Sequence, residues 1–271
     1  MENELFNIKD KVVVITGGYG ILGSSMSEYL AANGAKVAIL GRSLEKGEAL
    51  AREIREKGYN VTFFKSDVMD KASLECCREQ IVKKYGKIDV LINAAGGNMP
   101  GAVIPPDKTI FDVDMNDFRK VIDLNLFGTV IPTLVFSQAM VKHRAGNIIN
   151  IASMSSFRPL TRVMGYGVAK AAIANFTKYM AGELALKFGD KFRVNAIAPG
   201  FFITDQNRNL MLNTDGSYTD RAKSVVAHTP FKRFGEADEL LGSVHYLVSN
   251  ASTFVNGSIL VVDGGFDSYS I

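Results

Sequence analysis

Short apolar runs rich in β-branched residues recur along the chain, and longer stretches of helical periodicity separate them. The runs are Val12-Val13-Val14-Ile15, residues 36–40, Val61-Thr62-Phe63-Phe64, residues 88–92, residues 147–151, residues 193–197 and Ser258-Ile259-Leu260-Val261-Val262. Most lack a polar alternate position, which is the pattern of strands covered on both faces. Between them the spacing predicts helices over residues 20–33, 43–57, 70–85, 114–143, 165–188 and 236–249. Gly34 and Gly58 stop the first two, and Ser43 and Asp70 are placed as N-caps. Residues 96–113 are rich in Gly, Pro and Asp and read as loop. Residues 205–226 read as helical, with polar stretches and few large apolar groups, and with the 97–113 loop they are expected to flank a pocket as a lid.

Strand–helix alternation implies right-handed crossovers and a parallel sheet with helices on both sides. The expectation is one α/β domain over residues 1–271, a doubly wound Rossmann arrangement. Ligands on such sheets bind beyond the carboxyl ends of the strands.

Composition narrows the functional classes. Of 271 residues, 47% are hydrophobic and 22% charged, with a net charge of +3, as in an ordinary globular domain. Lys and Arg are scattered among acids, which argues against nucleic-acid binding. Cys76 and Cys77 are neighbours in a helical pattern, poorly placed to staple a fold and read as reduced thiols. The first ten residues carry acids and no apolar signal core, and no apolar run is read as long enough to span a bilayer, so a cytoplasmic location is expected. No metal spacing is found among the three histidines.

Two constellations carry chemistry. Gly18-x-Gly20-x-x-Gly23 follows the first strand and opens the first helix. Glycines allow a tight turn, and the free amides of a helix N-terminus hold a diphosphate. The second strand ends Leu40-Gly41-Arg42-Ser43, with no carboxylate for a ribose diol. Arg42 could meet a 2′-phosphate, with Ser43 adding a hydroxyl, which points to NADP(H) over NAD(H). The second constellation is Tyr166 and Lys170, i and i+4, on one helix face. An ammonium fixed beside a phenol is expected to lower the phenol's pKa, giving a group that exchanges protons near neutral pH. Ser153 lies upstream, with Ser155 and Ser156 as competitors for the same role.

With these residues in place the chain resembles a short-chain dehydrogenase/reductase over nearly its whole length. The matching motifs are the glycine turn, Asp67-Val68, Asn93-Ala94-Ala95-Gly96, Asn125, Ser153, Tyr166/Lys170, Pro199-Gly200-Phe201-Phe202-Ile203-Thr204 and Val262-Asp263-Gly264-Gly265. The resemblance implies a seven-stranded sheet in the order 3-2-1-4-5-6-7 and a homotetramer or dimer. It implies that Tyr166 is the proton donor and acceptor, that Lys170 tunes it and bonds the nicotinamide ribose, and that Ser153 holds the substrate oxygen. Asn125 would position a water that relays protons towards Lys170. Gly17, Gly18, Tyr19, Gly20, Ile21, Leu22, Asp67, Val68, Asn93, Ala94, Gly96, Pro199, Gly200, Phe202 and Thr204 would join Arg42, Ser43, Tyr166 and Lys170 around the dinucleotide. Asn93 could also brace the sheet. Ile21 stands where the family turn has glycine, so it should have helical dihedrals.

More locally the chain is similar to the D-mannonate oxidoreductase (fructuronate reductase) subgroup. The shared words include Asn93-Ala-Ala-Gly-Gly-Asn98, Phe157-Arg158-Pro159-Leu160-Thr161, Asp205-Gln206-Asn207-Arg208 and His228-Thr229-Pro230. That implies hydride transfer on a sugar acid. Its carboxylate needs a cation, for which Arg158, Arg162 and Arg208 are candidates, and its hydroxyls would meet Asn98 and Gln206. The competing readings are a reductase of a 3-oxoacyl thioester or a 5-keto-gluconate, and a non-catalytic dinucleotide sensor.

Overall fold

In the computed structural model, which describes residues 4–204 and 207–269, seven strands form one sheet in the order β3-β2-β1-β4-β5-β6-β7. They are β1 (Val12–Thr16), β2 (Lys36–Gly41), β3 (Val61–Lys65), β4 (Val90–Asn93), β5 (Gly146–Ile151), β6 (Phe192–Pro199) and β7 (Ile259–Val262). Every neighbouring pair is parallel. β1 and β6 are buried along their full length, which is why they read as continuous rather than alternating apolar runs.

Helices cover both faces. On one lie α1 (Ile21–Ala32), α2 (Leu44–Glu56) and α9 (Leu241–Val248); Met26, Leu30, Ile54, Val244 and Leu247 fill the space beneath them. On the other lie α3 (Lys71–Tyr85), α5 (Gly128–Lys142) and α6 (Met164–Phe188), with Leu74, Ile81, Phe136, Met180 and Leu184. Each such side chain contributes about 1.5–3 kcal/mol on burial. The chain winds from β1 out to β3 and returns to β4 on the other side of β1. This reversal opens a crevice beyond the carboxyl ends of β1 and β4.

Several element boundaries differ from the sequence expectation for identifiable reasons. β4 starts at Val90, because the Asp89 carboxylate takes the Val12 N–H at 2.8 Å. The helix expected over residues 114–143 is α4 (Met115–Ile122), a π turn (Asp123–Phe127) and α5. Asn125 Nδ2 donates to the Val121 carbonyl, the i−4 acceptor of an ordinary turn, at 2.8 Å. That run, Met115–Lys142, is long and apolar enough to cross a membrane, contrary to the sequence reading, but 56% of its most apolar window is buried in the protein.

The helix expected over 236–249 begins as a 3-10 turn (Ala237–Leu240) before α9. Glu239 closes a capping box on Glu236 and pairs with Arg233 at 2.6 Å. The segment expected to be one helix over 205–226 is two short ones, α7 (Arg208–Met211) and α8 (Asp220–His228). An antiparallel bridge between Leu212 and Tyr218 joins them. The turn it closes, Asn213-Thr214-Asp215-Gly216, has Gly216 at φ +82°, and such turn formers outweigh a weak helical pattern.

Candidate active site

Every functional side chain predicted from the strand ends hangs from the carboxyl edge of the sheet. β1 runs into the glycine turn. Gly17 has φ +64°, and a Cβ there would lie 2.9 Å from Ala95 Cα in the turn after β4. Thr16 Oγ1 accepts from the N–H groups of Ala94 and Ala95 at 3.1 and 3.2 Å, so the two turns are locked together. A Cβ on Gly23 would lie 2.3 Å from the Gly17 carbonyl oxygen, so α1 packs against the turn only with glycine there. Ile21 is the first residue of α1, with helical dihedrals as expected, and the helix N-terminus has no side-chain cap. Uncapped N–H groups behind a glycine cradle fit a dinucleotide diphosphate.

At the end of β2 the Tyr19 ring lies against Gly41, and its hydroxyl accepts the Ser43 N–H at 3.0 Å. The Ser43 hydroxyl accepts from Lys46 N–H as the cap of α2, and Arg42 is exposed. Asp67 accepts the Met69 N–H at 2.9 Å, and Val68 is buried against Gly128. Asn93 is turned into the core rather than towards a ligand. Its Nδ2 donates to Thr133 Oγ1 and Asn150 Oδ1, both at 2.9 Å, and Asn150 Nδ2 passes the chain on to Thr177.

Tyr166 and Lys170 lie in the first and second turns of the 25-residue α6, with Ser153 just beyond the end of β5 opposite them. The Lys170 Nζ sits 5.4 Å from the Tyr166 ring centroid and donates to the Ile151 carbonyl at 2.7 Å. Ser153 is extended, and its Oγ accepts the Ser155 N–H at 3.2 Å. Ser156 donates instead to the Lys170 carbonyl at 2.7 Å. Burial pushes the Lys170 amine down to about 8. Burial also pushes the Tyr166 phenol up, and a hydrogen bond with Ser153 pulls it back in part. The lowering expected from Lys170 is therefore not the dominant effect: the ammonium is buried and bonds a carbonyl rather than the phenol. Asn125 is fully buried; its Nδ2 donates to the Gly97 carbonyl at 2.7 Å and its Oδ1 accepts the Gly97 N–H at 3.2 Å. A Cβ on Gly96 would lie 2.7 Å from Asn125 Oδ1 and 3.7 Å from Lys170 Nζ, so only glycine lets these elements converge.

A cavity of ≈ 180 Å³ opens over Ser153 and Tyr166. Leu22, Pro199, Gly200, Phe202 and Thr204 of the expected dinucleotide set line it, and so does Asn98. Thr204 is held by Asn207, whose side chain bonds Thr204 N–H and the Phe202 carbonyl. The basic candidates fall elsewhere. Arg158 is tied to Asp267, with Nε 2.7 Å from the carboxylate and a second bond to its main-chain carbonyl. Arg208 is exposed on α7, and neither it nor Arg162 lines the cavity. Gln206 lies outside the described residues. The cation that does line the cavity is Arg221 on α8, which the sequence reading missed. No local motif marks it.

The fold and site define a class. A profile of the short chain dehydrogenase family matches residues 11–215, and the chain belongs to that family; it is an NAD(P)-dependent oxidoreductase. It is 43% identical over 273 residues to "Uncharacterized oxidoreductase UxuB" of Bacillus subtilis (strain 168), covering 97% of each chain. It is 41% identical to the solved structure of a "putative D-Mannonate oxidoreductase from Haemophilus influenza" with bound NAD, with a TM-score of 0.91 over 97% of each chain. A gluconate 5-dehydrogenase from Burkholderia cenocepacia J2315, solved with NADP and tartrate, is 31% identical with a TM-score of 0.87, over 98% of this chain and 99% of that one.

Proposed function

We propose that the protein interconverts a secondary alcohol and a ketone on a sugar acid, with D-fructuronate and D-mannonate as the pair. The observation that carries this reading is the convergence of Ser153 and Tyr166 in one small cavity, with the buried Lys170 beside the Tyr166 ring. The nicotinamide, when bound, supplies or takes the hydride. Tyr166 gives its proton to the ketone oxygen in reduction and takes one back in oxidation. The phenol is protonated at neutral pH, as a donor must be, while burial, which raises its pKa, opposes its ionisation. Ser153 donates to the substrate oxygen and stabilises the charge that grows on it. Lys170 holds positive charge under the ring and bonds the nicotinamide ribose. Asn125 has its side chain engaged, so its part in proton relay falls to its main-chain carbonyl at the π turn, where a water would share the acceptor with Thr129.

The likeness to sugar-acid dehydrogenases supports the substrate class. The same reading makes the protein a cytosolic homotetramer or dimer. An apolar face on α5 and α6, with Leu134, Tyr179 and Phe188 exposed, supports self-association. The exposed Arg42 at the end of β2 is the partner of a 2′-phosphate in this reading, favouring NADP(H).

Steady-state turnover of D-fructuronate, 5-keto-D-gluconate and a 3-oxoacyl thioester, each with NADH and NADPH, tests the reading. The highest kcat/KM is expected on D-fructuronate, and a higher value on the thioester would replace the sugar acid with the acyl substrate. Arg42→Asp should shift the NADP/NAD ratio of kcat/KM towards NAD by about tenfold or more. An unchanged ratio removes Arg42 from coenzyme choice.

A further inference from the structure

Arg221 holds an unusual position for a cation. It lines the cavity that contains Ser153 and Tyr166, although α8 lies far along the chain from both. A guanidinium has five N–H donors. Arg221 uses Nη1 for Thr161 Oγ1 at 2.9 Å and Nη2 for the Thr161 carbonyl at 3.0 Å. Its Nε is buried with no partner among the described residues. The charge that acts on it is that of Arg162, of the same sign, and no carboxylate among the described residues pairs with either. Burial and that neighbour both disfavour the positive charge, which an anion in the cavity would reverse. Asn98 reaches the same cavity from the loop after β4, and its side-chain carbonyl oxygen is likewise buried without a donor. Orphaned buried groups cost stability and are few in native proteins. Both residues line the cavity that holds Ser153 and Tyr166, and these two polar atoms lie just behind its wall, closed off from water.

Building on the sugar-acid reading, we infer that Arg221 is the substrate's carboxylate partner and Asn98 the acceptor for one of its hydroxyls. The substrate is then a polyhydroxy acid anion, not a neutral sugar. The carboxylate takes two of the guanidinium N–H groups that are not bonded to Thr161. Its carbonyl lies at Ser153 and Tyr166, so Arg221 fixes which carbon faces the hydride. The bonds to Thr161 hold the guanidinium in place and use two of its five N–H donors.

The test is steady-state kinetics with D-fructuronate and its neutral counterpart D-fructose, on wild type, Arg221→Met, Arg221→Lys and Thr161→Val. For Arg221→Met, KM for D-fructuronate should rise on the order of 10²-fold with kcat within a few-fold, since a charge-assisted fork is lost. Arg221→Lys should fall between, because an ammonium keeps the charge without the fork. Thr161→Val removes one of the two bonds that position Arg221, so it should raise KM for D-fructuronate less than Arg221→Met does; an equal fall in kcat/KM on D-fructuronate and D-fructose in Arg221→Met would make Arg221 only a strut, and the inference fails. An unchanged KM in Arg221→Met also overturns it, and leaves the sugar-acid reading intact if wild type still prefers D-fructuronate. A wild type that accepts D-fructose equally, or neither compound, overturns both.

Discussion

The two walls of the cavity are built differently. The wall that carries Ser153, Tyr166 and Lys170 is rooted in the sheet: β5 is buried through Asn150, Lys170 is 4% exposed, and the polar chain from Asn93 to Thr177 ties β4, β5 and α6 together. The wall that carries Asn207, Met211 and Arg221 rests on two short helices and a small cluster of Met211, Ala222 and Phe234. One wall fixes chemical groups to within bond distances, and the other shapes the space for a substrate. Chemistry common to a family belongs on the first, and choice of substrate on the second.

The largest expected effect breaks the first wall. Tyr166→Phe should lower kcat by about 10²–10⁴-fold while coenzyme affinity, measured by fluorescence titration, stays near wild type. Near-normal turnover would remove the phenol from the chemistry. Lys170 offers a test by pH. Its folded pKa of about 8 lies below the unfolded 10.5, so the unfolded state binds more protons between those values, and the stability of wild type rises with pH there. Urea unfolding of wild type against Lys170→Met should show the difference shifting towards wild type by about 3 kcal/mol from pH 8 to 10.5, and flat below pH 8. A flat difference throughout would mean that the amine is not desolvated.

The second wall should yield more gently. Met211→Ala should raise KM by about tenfold with little change in kcat, and lower global stability by less than the 2–5 kcal/mol typical of a well-rooted core site. A full core-sized loss would show the second wall to be as deeply anchored as the first. The smallest effect is dynamic. Amides of residues 208–228 should exchange hydrogen faster than those of α6, and slow when coenzyme and D-fructuronate are both present. Equal rates with and without them would leave this segment a fixed wall and not a lid.

The same contrast decides what could be read from sequence. The strands, the glycine turn and the Tyr166/Lys170 pair were legible because each is a local signal: a β-branched run, a spacing of glycines, an i to i+4 step. The π turn at Asn125 was not, since it follows from a side chain competing for the Val121 carbonyl, which no periodicity reveals. Nor was the pairing of Arg158 with Asp267, which removes the most conspicuous basic candidate from the cavity. Arg221 was missed for the opposite reason. It sits in a polar helix where a solvated arginine is the ordinary expectation, and only the return of α8 over the sheet edge brings it to the cavity. The break between α7 and α8, by contrast, has a local signal in the turn formers Asn213-Thr214-Asp215-Gly216, which outweigh the weak helical pattern around them.

The polar chain beneath the site limits how this part of the protein can vary. Asn150 accepts from Asn93 and donates to Thr177, so exchanging it alone for an apolar residue would take one partner from each, leaving Asn93 with Thr133 and Thr177 with the Ile173 carbonyl, at about 0.5–1.5 kcal/mol per lost bond. Compensation would need concerted changes on three separate elements. The floor under the reactive groups is therefore inherited as a block, and the readily mutable ground for acquiring new substrates lies across the cavity, on the short helices.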